Sequence, residues 1–332
     1  MDGASTTLHV RVPAKINLHL AVGARRDDGY HDVVTVLQTV SLFDRLRLTL
    51  DGTTGSAHPS ARARMQVALT LDDARTTQGV PAGDDNLVLV AARQLMAHLG
   101  IGTDRTSDIG QRAGPAAGST DRPWSRLHLT KRIPVAAGMA GGSADAAATL
   151  VGLNRLWGAD LDVAALAGIA ARVGSDVPFC VLGGTGLATG TGTAVARVLT
   201  RSRTFWVVGV DRAPLSTADV YRAFDRLTPP PPSDPDEVLQ ALRTGDVAAL
   251  AAAVRNDLEP AAIVLRPVLA ERRQAMLDAG ALAAMVSGSG PTMLGLARDD
   301  THAQQIAAQV RPHFDDVTVV SSPSGGPEFI TG

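Results

Sequence analysis

The feature that most constrains this chain is a glycine-rich connection between a predicted strand at 127–130 and a predicted alanine-rich helix at 143–157. The connection, residues 134–144, reads Pro-Val-Ala-Ala-Gly-Met-Ala-Gly-Gly-Ser-Ala, and Ser143 is the expected N-cap of the helix. Glycines let successive backbone N–H groups point inward, and a helix N-terminus adds about half a positive charge. The sequence therefore predicts a cradle for a phosphate group. Taken alone, the loop also fits a flexible connection that allows close helix packing.

Two common nucleotide-binding patterns do not fit this loop. The phosphate loop of most NTPases ends in Gly-Lys-Ser/Thr, whereas Gly142 and Ser143 are adjacent here with no lysine between them. A Gly-x-Gly-x-x-Gly pattern with a downstream acidic residue for a ribose is also absent from the sequence. A cation that stabilises a transferring phosphoryl group must therefore come from another part of the chain.

Lys15 is the candidate for this cation. Among 31 basic residues only Lys15 and Lys131 are lysines, and a lysine supplies a compact, flexible ammonium. Lys15, Asn17 and His19 alternate with apolar residues, so a strand predicts all three side chains on one face. A half-exposed sheet face is the alternative interpretation.

Two other segments combine small residues with polar ones. Residues 174–179 read Gly-Ser-Asp-Val-Pro-Phe, and Asp176, taken alone, is best interpreted as a turn carboxylate that satisfies its own backbone. Residues 286–292 read Val-Ser-Gly-Ser-Gly-Pro-Thr and form a predicted turn between strands. This turn is either a simple tight loop or a surface on which backbone packs beneath the phosphate cradle.

Composition excludes several classes of protein. The 332 residues are enough for about two domains. A net charge of -2 and 3% aromatic residues argue against a nucleic-acid partner. A single cysteine, Cys180, excludes an internal disulfide framework and a cysteine-cluster metal site. The sequence shows neither a secretory signal nor a membrane span, so we expect a cytoplasmic protein with a small-molecule partner and no membrane partner.

The order of predicted elements indicates an α+β fold, because strands and helices mix without a steady βαβ rhythm. Residues 103–126 contain few large apolar groups and are predicted to form a surface loop, and a proline run lies at 229–232. The predicted strands are 8–12, 16–22, 33–40, 45–50, 66–71, 127–130, 194–199, 205–210, 283–286, 292–296 and 317–320. The predicted helices are 86–99, 143–157, 162–173, 218–227, 237–242, 246–254, 261–278 and 301–310.

Taken together, these segments resemble the three motifs of the galactokinase, homoserine kinase, mevalonate kinase and phosphomevalonate kinase superfamily. The motifs match around residues 13–18, 134–147 and 287–292, and the similarity extends from about residue 8 to residue 320, apart from 103–126. The resemblance implies a two-domain α+β small-molecule kinase with its active site in the interdomain cleft. We expect an N-terminal ATP-binding domain at 1–175 and a C-terminal domain at 176–332.

The same resemblance implies ATP and Mg²⁺ as cofactors and assigns roles to residues. Lys15 and Asp176 match the catalytic pair, in which Asp176 is the general base and Lys15 orients it and offsets negative charge. Gly288, Ser289 and Gly290 match the third motif, which supports the loop. Ser143 is the expected Mg²⁺ ligand. The implied ATP-binding residues are Asn86, Lys131, Pro134, Val135, Ala136, Ala137, Gly138, Met139, Ala140, Gly141, Gly142, Ser143 and Ala144.

Residues 25–32, Arg-Arg-Asp-Asp-Gly-Tyr-His-Asp, are similar to a stretch found in superfamily members that phosphorylate the tertiary 2-hydroxyl of a cytidine-diphosphate-linked methylerythritol. That reaction belongs to the non-mevalonate isoprenoid route. The resemblance implies that Asn17, Tyr30, His31 and Tyr221 bind this substrate, with His31 on the cytosine edge and the two tyrosines stacking on the ring. A mevalonate or homoserine kinase, or a catalytically silent nucleotide sensor, is the alternative.

The loop departs from the common superfamily form Gly-Leu-Gly-Gly-Gly-Ser-Ser-Asp at Met139, Ala140 and Ala144. Ala140 is the important difference, because its Cβ resists a positive φ that glycine adopts freely.

Overall fold

The computed structural model describes residues 5–51, 64–72, 79–81, 83–103, 124–227 and 232–331, and the strands of this part of the chain form two sheets. The strands are β1 (Thr6–Arg25), β2 (His31–Asp51), β3 (Arg64–Leu71), β4 (Gly102–Thr103), β5 (Trp124–Thr130), β6 (Thr185–Gly190), β7 (Ala194–Arg197), β8 (Thr204–Val210), β9 (Arg255–Asn256), β10 (Ala283–Val286), β11 (Met293–Ala297), β12 (Asp316–Ser322) and β13 (Glu328–Ile330). The helices are α1 (Leu87–His98), α2 (Gly141–Leu156), α3 (Val163–Ala170), α4 (Val177–Leu182), α5 (Thr217–Phe224), α6 (Asp236–Thr244), α7 (Val247–Ala253), α8 (Glu259–Leu265), α9 (Val268–Asp278) and α10 (Asp300–Val310).

Two long antiparallel strands, β1 and β2, form the centre of the first sheet. The order is β13-β1-β2-β5-β3-β4. In addition, β6 pairs with another segment of β2, and β9 pairs with another segment of β1. The sequence predicted four separate strands here, and that prediction was wrong. The pairing of β1 with β2 shifts register at Pro13/Ala14 and at Asn17/His19. Such a bulge accommodates a proline within a strand, so β1 continues through Pro13.

The shift between Asn17 and His19 also changes which side chains share a face. Lys15 and Asn17 lie together and line the large cavity described below, but Leu20 rather than His19 follows them there. His19 is buried, with its Nε2 3.2 Å from the carbonyl oxygen of Ser233. The prediction of one shared face was therefore wrong for His19, because an irregular register interrupts the alternation of a strand.

The second sheet, in the order β10-β11-β8-β12, is antiparallel throughout and contacts helices α9 and α10. A buried polar cluster joins the two sheets at Gln38 of β2. Its Nε2 donates to Thr185 Oγ1 at 2.9 Å, and its Oε1 accepts from Ser322 Oγ at 2.7 Å and from Thr204 Oγ1 at 3.4 Å. Because these polar groups are paired inside the protein, they fix the sheets relative to each other without unsatisfied donors.

Helix α2 packs closely on the first sheet because its residues are small. A Cβ at Gly152 would lie only 2.7 Å from Leu48 Cδ2, so glycine allows the helix to approach β2. At the other end of the helix, Trp157 is fully buried and its Nε1 donates to Ser125 Oγ of β5 at 3.0 Å. These contacts hold α2, which begins where the glycine-rich loop ends, against the first sheet.

Most other predicted elements are present, with two informative differences. The helix predicted at 261–278 is divided into α8 and α9, because Pro267 cannot continue a helix. The helix α4 and strand β6 were not predicted, since their short apolar and glycine-containing segments give no clear period. Most of the predicted surface loop at 103–126, namely residues 104–123, lies outside the described residues. Its end, residues 124–126, belongs to β5. The proline run also lies outside them, apart from Pro232.

Within the described part of the chain, no helix combines the length and the apolar character needed to cross a bilayer. Strands β6 and β13, which follow residue 176, both pair with strands of the first sheet. The division of the chain at 175/176 remains a prediction.

Candidate active site

A cavity of about 1090 Å³ is lined both by β1 of the first sheet and by the turn between β10 and β11 of the second sheet. Its wall combines β1, the glycine-rich loop, the start of α4, helix α5 and the turn between β10 and β11. All four segments that the sequence analysis singled out therefore contribute to one cavity. The described residues contain no cluster of three or more His, Cys, Asp or Glu side chains arranged to hold a metal ion.

Lys15 and Asp176 face each other in this cavity. Lys15 Nζ is 3.6 Å from Asp176 Oδ2, and it donates to Asn17 Oδ1 at 2.9 Å and to the carbonyl oxygen of Gly138 at 3.2 Å. The Lys15 side chain is 6% exposed, whereas that of Asp176 is 37% exposed. Asp176 immediately precedes α4 but makes no side-chain capping bond. Its carboxylate is therefore oriented by an immobilised ammonium and remains accessible to a ligand.

The glycine-rich loop ends in an uncapped helix. Ala140 precedes α2 with φ 55, and no side chain of a described residue accepts a hydrogen bond from the first turn. The prediction that Ser143 is the N-cap was wrong, because the helix already begins at Gly141 and places Ser143 in its first turn. Since the first N–H groups of a helix lack partners inside it, this end attracts an anion in the cavity.

The turn between β10 and β11 packs directly against the loop. A Cβ at Gly138 would lie 1.9 Å from the carbonyl oxygen of Ser287, and Ser287 Oγ donates to the carbonyl oxygen of Gly138 at 3.1 Å. The side chain of Asn256 holds the turn by donating to the carbonyl oxygens of Val286 and Gly288. The loop and the turn are therefore one contiguous structure, and the turn is more than a connection between strands.

Lys131 lies beneath the loop in a buried cluster of charges. Its Nζ contacts Asp44 and is 2.7 Å from Asp145 Oδ2, while Asp44 Oδ1 also accepts from the backbone N–H groups of Arg132 and Ile133. Burial opposes the charge on Lys131, but the two carboxylates outweigh it and raise the pKa of Lys131. Burial also raises the pKa of Asp145, although Lys131 opposes this shift. The cluster joins β5, β2 and α2.

Asn86, the other residue predicted near the nucleotide, is buried and lines the cavity beside the loop. Its Oδ1 accepts from Val88 N at 2.9 Å and caps α1, and its Nδ2 donates to the carbonyl oxygen of Pro81 at 2.7 Å. These bonds fix the side chain at the cavity wall.

Another part of the cavity wall, the aromatic end, contains His31, Tyr221 and Tyr30. The rings of His31 and Tyr221 lie 5.0 Å apart, and Phe224 meets the His31 ring edge-on at 6.1 Å. Burial, with a smaller contribution from Asp176, raises the pKa of Tyr221 to about 12, so its phenol stays protonated at neutral pH. Tyr30 is 66% exposed and lines the same end.

Asp225 is a cavity residue that the sequence reasoning missed. Its Oδ1 lies 2.7 Å from His31 Nε2. The spacing of four residues from Tyr221, which places both on one side of a helix, is the signal that indicates it. Asp44 and Asp145 were missed too, because their pairing with Lys131 joins residues far apart in the sequence.

Family models identify the class to which this fold and cavity belong. A model described as the GHMP kinases N terminal domain matches residues 86–184, and one described as GHMP kinases C terminal matches residues 238–316. The chain is thus a GHMP kinase, an ATP-dependent phosphotransferase, and the resemblance inferred from its motifs is confirmed.

Sequence relatives identify the particular family. A 4-diphosphocytidyl-2-C-methyl-D-erythritol kinase of a Nocardioides species is 46% identical over 304 residues, which cover 91% of this chain and 92% of the relative. The kinase of the same name from Salinispora arenicola is 44% identical over 314 residues, which cover 93% of this chain and 89% of the relative. The chain belongs to the 4-diphosphocytidyl-2-C-methyl-D-erythritol kinase family.

Solved structures agree with this assignment. A crystal structure of a 4-(cytidine 5'-diphospho)-2C-methyl-D-erythritol kinase has a TM-score of 0.71 at 30% identity and covers 96% of this chain and 100% of that chain. Homoserine kinase from Cytophaga hutchinsonii has a TM-score of 0.67 at 19% identity, covering 99% of each chain, and that likeness shows the fold alone. The predicted α+β kinase fold is confirmed.

Proposed function

We propose that this protein transfers the γ-phosphoryl group of ATP to the tertiary 2-hydroxyl of 4-diphosphocytidyl-2-C-methyl-D-erythritol, giving the 2-phosphate and ADP. The observation that carries the proposal is that one cavity holds the Lys15–Asp176 pair together with an uncapped helix N-terminus and an aromatic end. A substrate with a pyrimidine at one end and a hydroxyl at the other matches that arrangement. The reaction belongs to the non-mevalonate route to isoprenoid precursors.

Asp176 acts as the general base in this proposal. The substrate hydroxyl oxygen forms a bond to the γ-phosphorus as its proton passes to the carboxylate, and the bond to ADP breaks. Lys15, held by Asn17 and Gly138, orients the carboxylate and offsets the negative charge that develops. Because a tertiary alcohol is a weak acid, positioning contributes as much as proton removal.

ATP occupies the loop side of the cavity, with its phosphates at the N-terminus of α2 and its base near Asn86 and Lys131. Mg²⁺ is commonly held by one or two protein groups together with substrate phosphates, so a multi-residue cluster is not required. Ser143 fits as a ligand, because it lines the cavity and its hydroxyl forms no hydrogen bond with another described residue. Bound Mg²⁺ would neutralise charge on the transferring phosphoryl group.

The cytidine part of the substrate occupies the aromatic end. Tyr30 and Tyr221 offer ring faces to the base, and His31 offers a polar edge. Asn17 is a proposed substrate contact, and its amide also bridges Lys15 and Thr35. Gly288, Ser289 and Gly290 support the loop from the turn between β10 and β11, where Ser289 Oγ lies 2.9 Å from Thr217 Oγ1.

A coupled ADP-release assay tests the substrate assignment. Purified protein with ATP and Mg²⁺ is offered 4-diphosphocytidyl-2-C-methyl-D-erythritol, mevalonate, homoserine or free methylerythritol in parallel. We expect turnover with the cytidine-linked substrate alone. Turnover with mevalonate or homoserine instead would reject the substrate and keep the kinase, and no turnover with any alcohol would favour a nucleotide sensor.

The variant Asp176→Asn tests the base. We expect kcat to fall by about two orders of magnitude or more, with ATP affinity retained, because the amide cannot accept the proton. Folding is not expected to change, since the Asp176 side chain caps no helix. The same substitution at the exposed Asp278 is the control. Near-normal turnover of Asp176→Asn would exclude this role for the carboxylate.

A further inference from the structure

Asp225 gives the aromatic end of the cavity a carboxylate. It follows α5 directly, and its Oδ1 lies 2.7 Å from His31 Nε2. The Asp225 side chain is 29% exposed and lines the cavity, whereas His31 is buried. The pair therefore joins a buried ring to an accessible acceptor.

This contact determines which nitrogen of a neutral His31 ring carries the proton. An ionised carboxylate only accepts hydrogen bonds, so Nε2 must donate, and Nδ1 of the neutral ring is then an acceptor. Within the described part of the chain, the only hydrogen bond of the His31 side chain is the one to Asp225. Tyr221 and Phe224 contact the ring and restrict its rotation. Nδ1 is thus the ring nitrogen available to a ligand.

The two residues consequently present acceptors and no donor at this end: Nδ1 of His31 and the second carboxylate oxygen of Asp225. Cytosine has an amino group, a donor, at the position where uracil has a carbonyl oxygen, an acceptor. This acceptor pair attracts the amino group and repels the carbonyl oxygen, and the buried Nδ1 is left unpaired by the wrong base.

We propose that Asp225 is a specificity-determining residue: by holding His31 with Nδ1 as an acceptor, it makes the cavity select the exocyclic amino group of cytosine over the carbonyl of uracil. The inference rests on the proposed function, because it explains how the base of that substrate is recognised. Asp225 positions the recognition group and takes no part in phosphoryl transfer.

Binding of CMP and UMP, measured by calorimetry with saturating ADP on the loop side, tests selection without any phosphoryl transfer. We expect the wild-type protein to bind CMP about tenfold or more tightly than UMP. In Asp225→Asn this ratio should fall towards one, because the amide can reverse and donate to Nε2, which turns Nδ1 into a donor. Asp219→Asn, at a half-exposed residue of α5 that pairs with Arg222, should keep the wild-type ratio.

Nitrogen-15 NMR of the histidine side chains tests the protonation pattern directly. We expect the free wild-type protein to carry the His31 proton on Nε2, and Asp225→Asn to show a mixture of the two tautomers; His31→Gln identifies the resonances. A wild-type proton on Nδ1, or an unchanged CMP-to-UMP ratio in Asp225→Asn, would overturn the inference.

Steady-state kinetics separate this inference from the proposed function. In Asp225→Asn, KM for the cytidine substrate should rise about tenfold or more, while KM for ATP should not change. Asp225-dependent preference for CMP in a protein without turnover would reject the proposed function and keep the inference. Turnover of the cytidine substrate with no dependence on Asp225 would keep the proposed function and reject the inference.

Discussion

At Ala140 the backbone adopts a conformation that its side chain disfavours. The residue has φ 55 immediately before α2, and a left-handed conformation costs a residue with a Cβ about 1 to 2 kcal/mol. The chain therefore adopts at Ala140 the positive φ that a Cβ disfavours and that glycine would take freely. The strained residue lies where the loop joins the N-terminus of α2.

Ala140→Gly should relieve this strain. Glycine also makes the unfolded chain more flexible, which costs about 0.4 to 1 kcal/mol of stability. The net gain in the free energy of unfolding is therefore expected to be about 0 to 1.6 kcal/mol. Urea unfolding measures it. At the exposed helical residue Ala308 the same change should lower stability by about 0.5 to 1 kcal/mol. Equal losses for both variants would contradict the assignment of strain to Ala140.

Among whole elements, β5, β2 and α2 are joined by the buried cluster of Lys131, Asp44 and Asp145. In Lys131→Met two carboxylates would be left buried without their cation, and we expect a loss of about 3 to 5 kcal/mol in the free energy of unfolding. Urea denaturation followed by circular dichroism measures this loss.

The matched control is Arg126→Met. Arg126 also joins β5 to β2, through Asp51 at 2.7 Å, but its side chain is 52% exposed. An exposed ion pair contributes about 0 to 1 kcal/mol, so this variant should unfold almost like the wild type. Similar small losses in both variants would show that the buried cluster does not hold the three elements together.

Strand β1 also gives the protein a pH dependence. Burial lowers the pKa of His19, so the folded state resists protonation that the unfolded chain accepts. The contribution is complete above the ordinary value of about 6.5 and is lost as pH falls below it towards the folded pKa. The free energy of unfolding should therefore decrease between pH 7.5 and pH 5.5, and less so in His19→Gln.

Urea unfolding at the two pH values measures this difference. His98→Gln, the same substitution at an exposed helix end, controls for the loss of an imidazole from the surface. An identical decrease in the wild type and in His19→Gln would show that other groups cause the pH dependence.

The sequence predicts a feature of the site when the residues that form it lie close together in the chain. The glycine-rich loop and Lys15 were singled out because each lies in a short, chemically distinctive segment, whereas Asp176 received its predicted role only through the resemblance. The structure places all three at one cavity. The face of His19 was mispredicted, since a register shift depends on pairing with β2 and leaves no local pattern. The Lys131 cluster and the contact of Asp225 with His31 join residues that are distant in the sequence, so only the fold shows them.

At the scale of the whole molecule, a single peptide unit joins the separate parts of the cavity. The carbonyl oxygen of Gly138 accepts from Lys15 of β1 and from Ser287 of the turn between β10 and β11. Gly138 has φ 73, and a Cβ there would lie 1.9 Å from the Ser287 carbonyl oxygen. The position of Lys15 and the contact between the loop and the turn therefore depend on one residue without a side chain.

Gly138→Ala should force the loop away from this turn. Backbone strain of about 1 to 2 kcal/mol and a backbone clash of about 1 to 3 kcal/mol add to a loss of about 2 to 5 kcal/mol in the free energy of unfolding. KM for ATP should rise as well, because the loop carries the anion site. Gly100→Ala separates the two causes: Gly100 has φ 68 but no atom within 4 Å of the added Cβ, so this variant should lose only the strain. If both variants lost the same stability and kept the same KM, contact between loop and turn would not be what holds the cavity together.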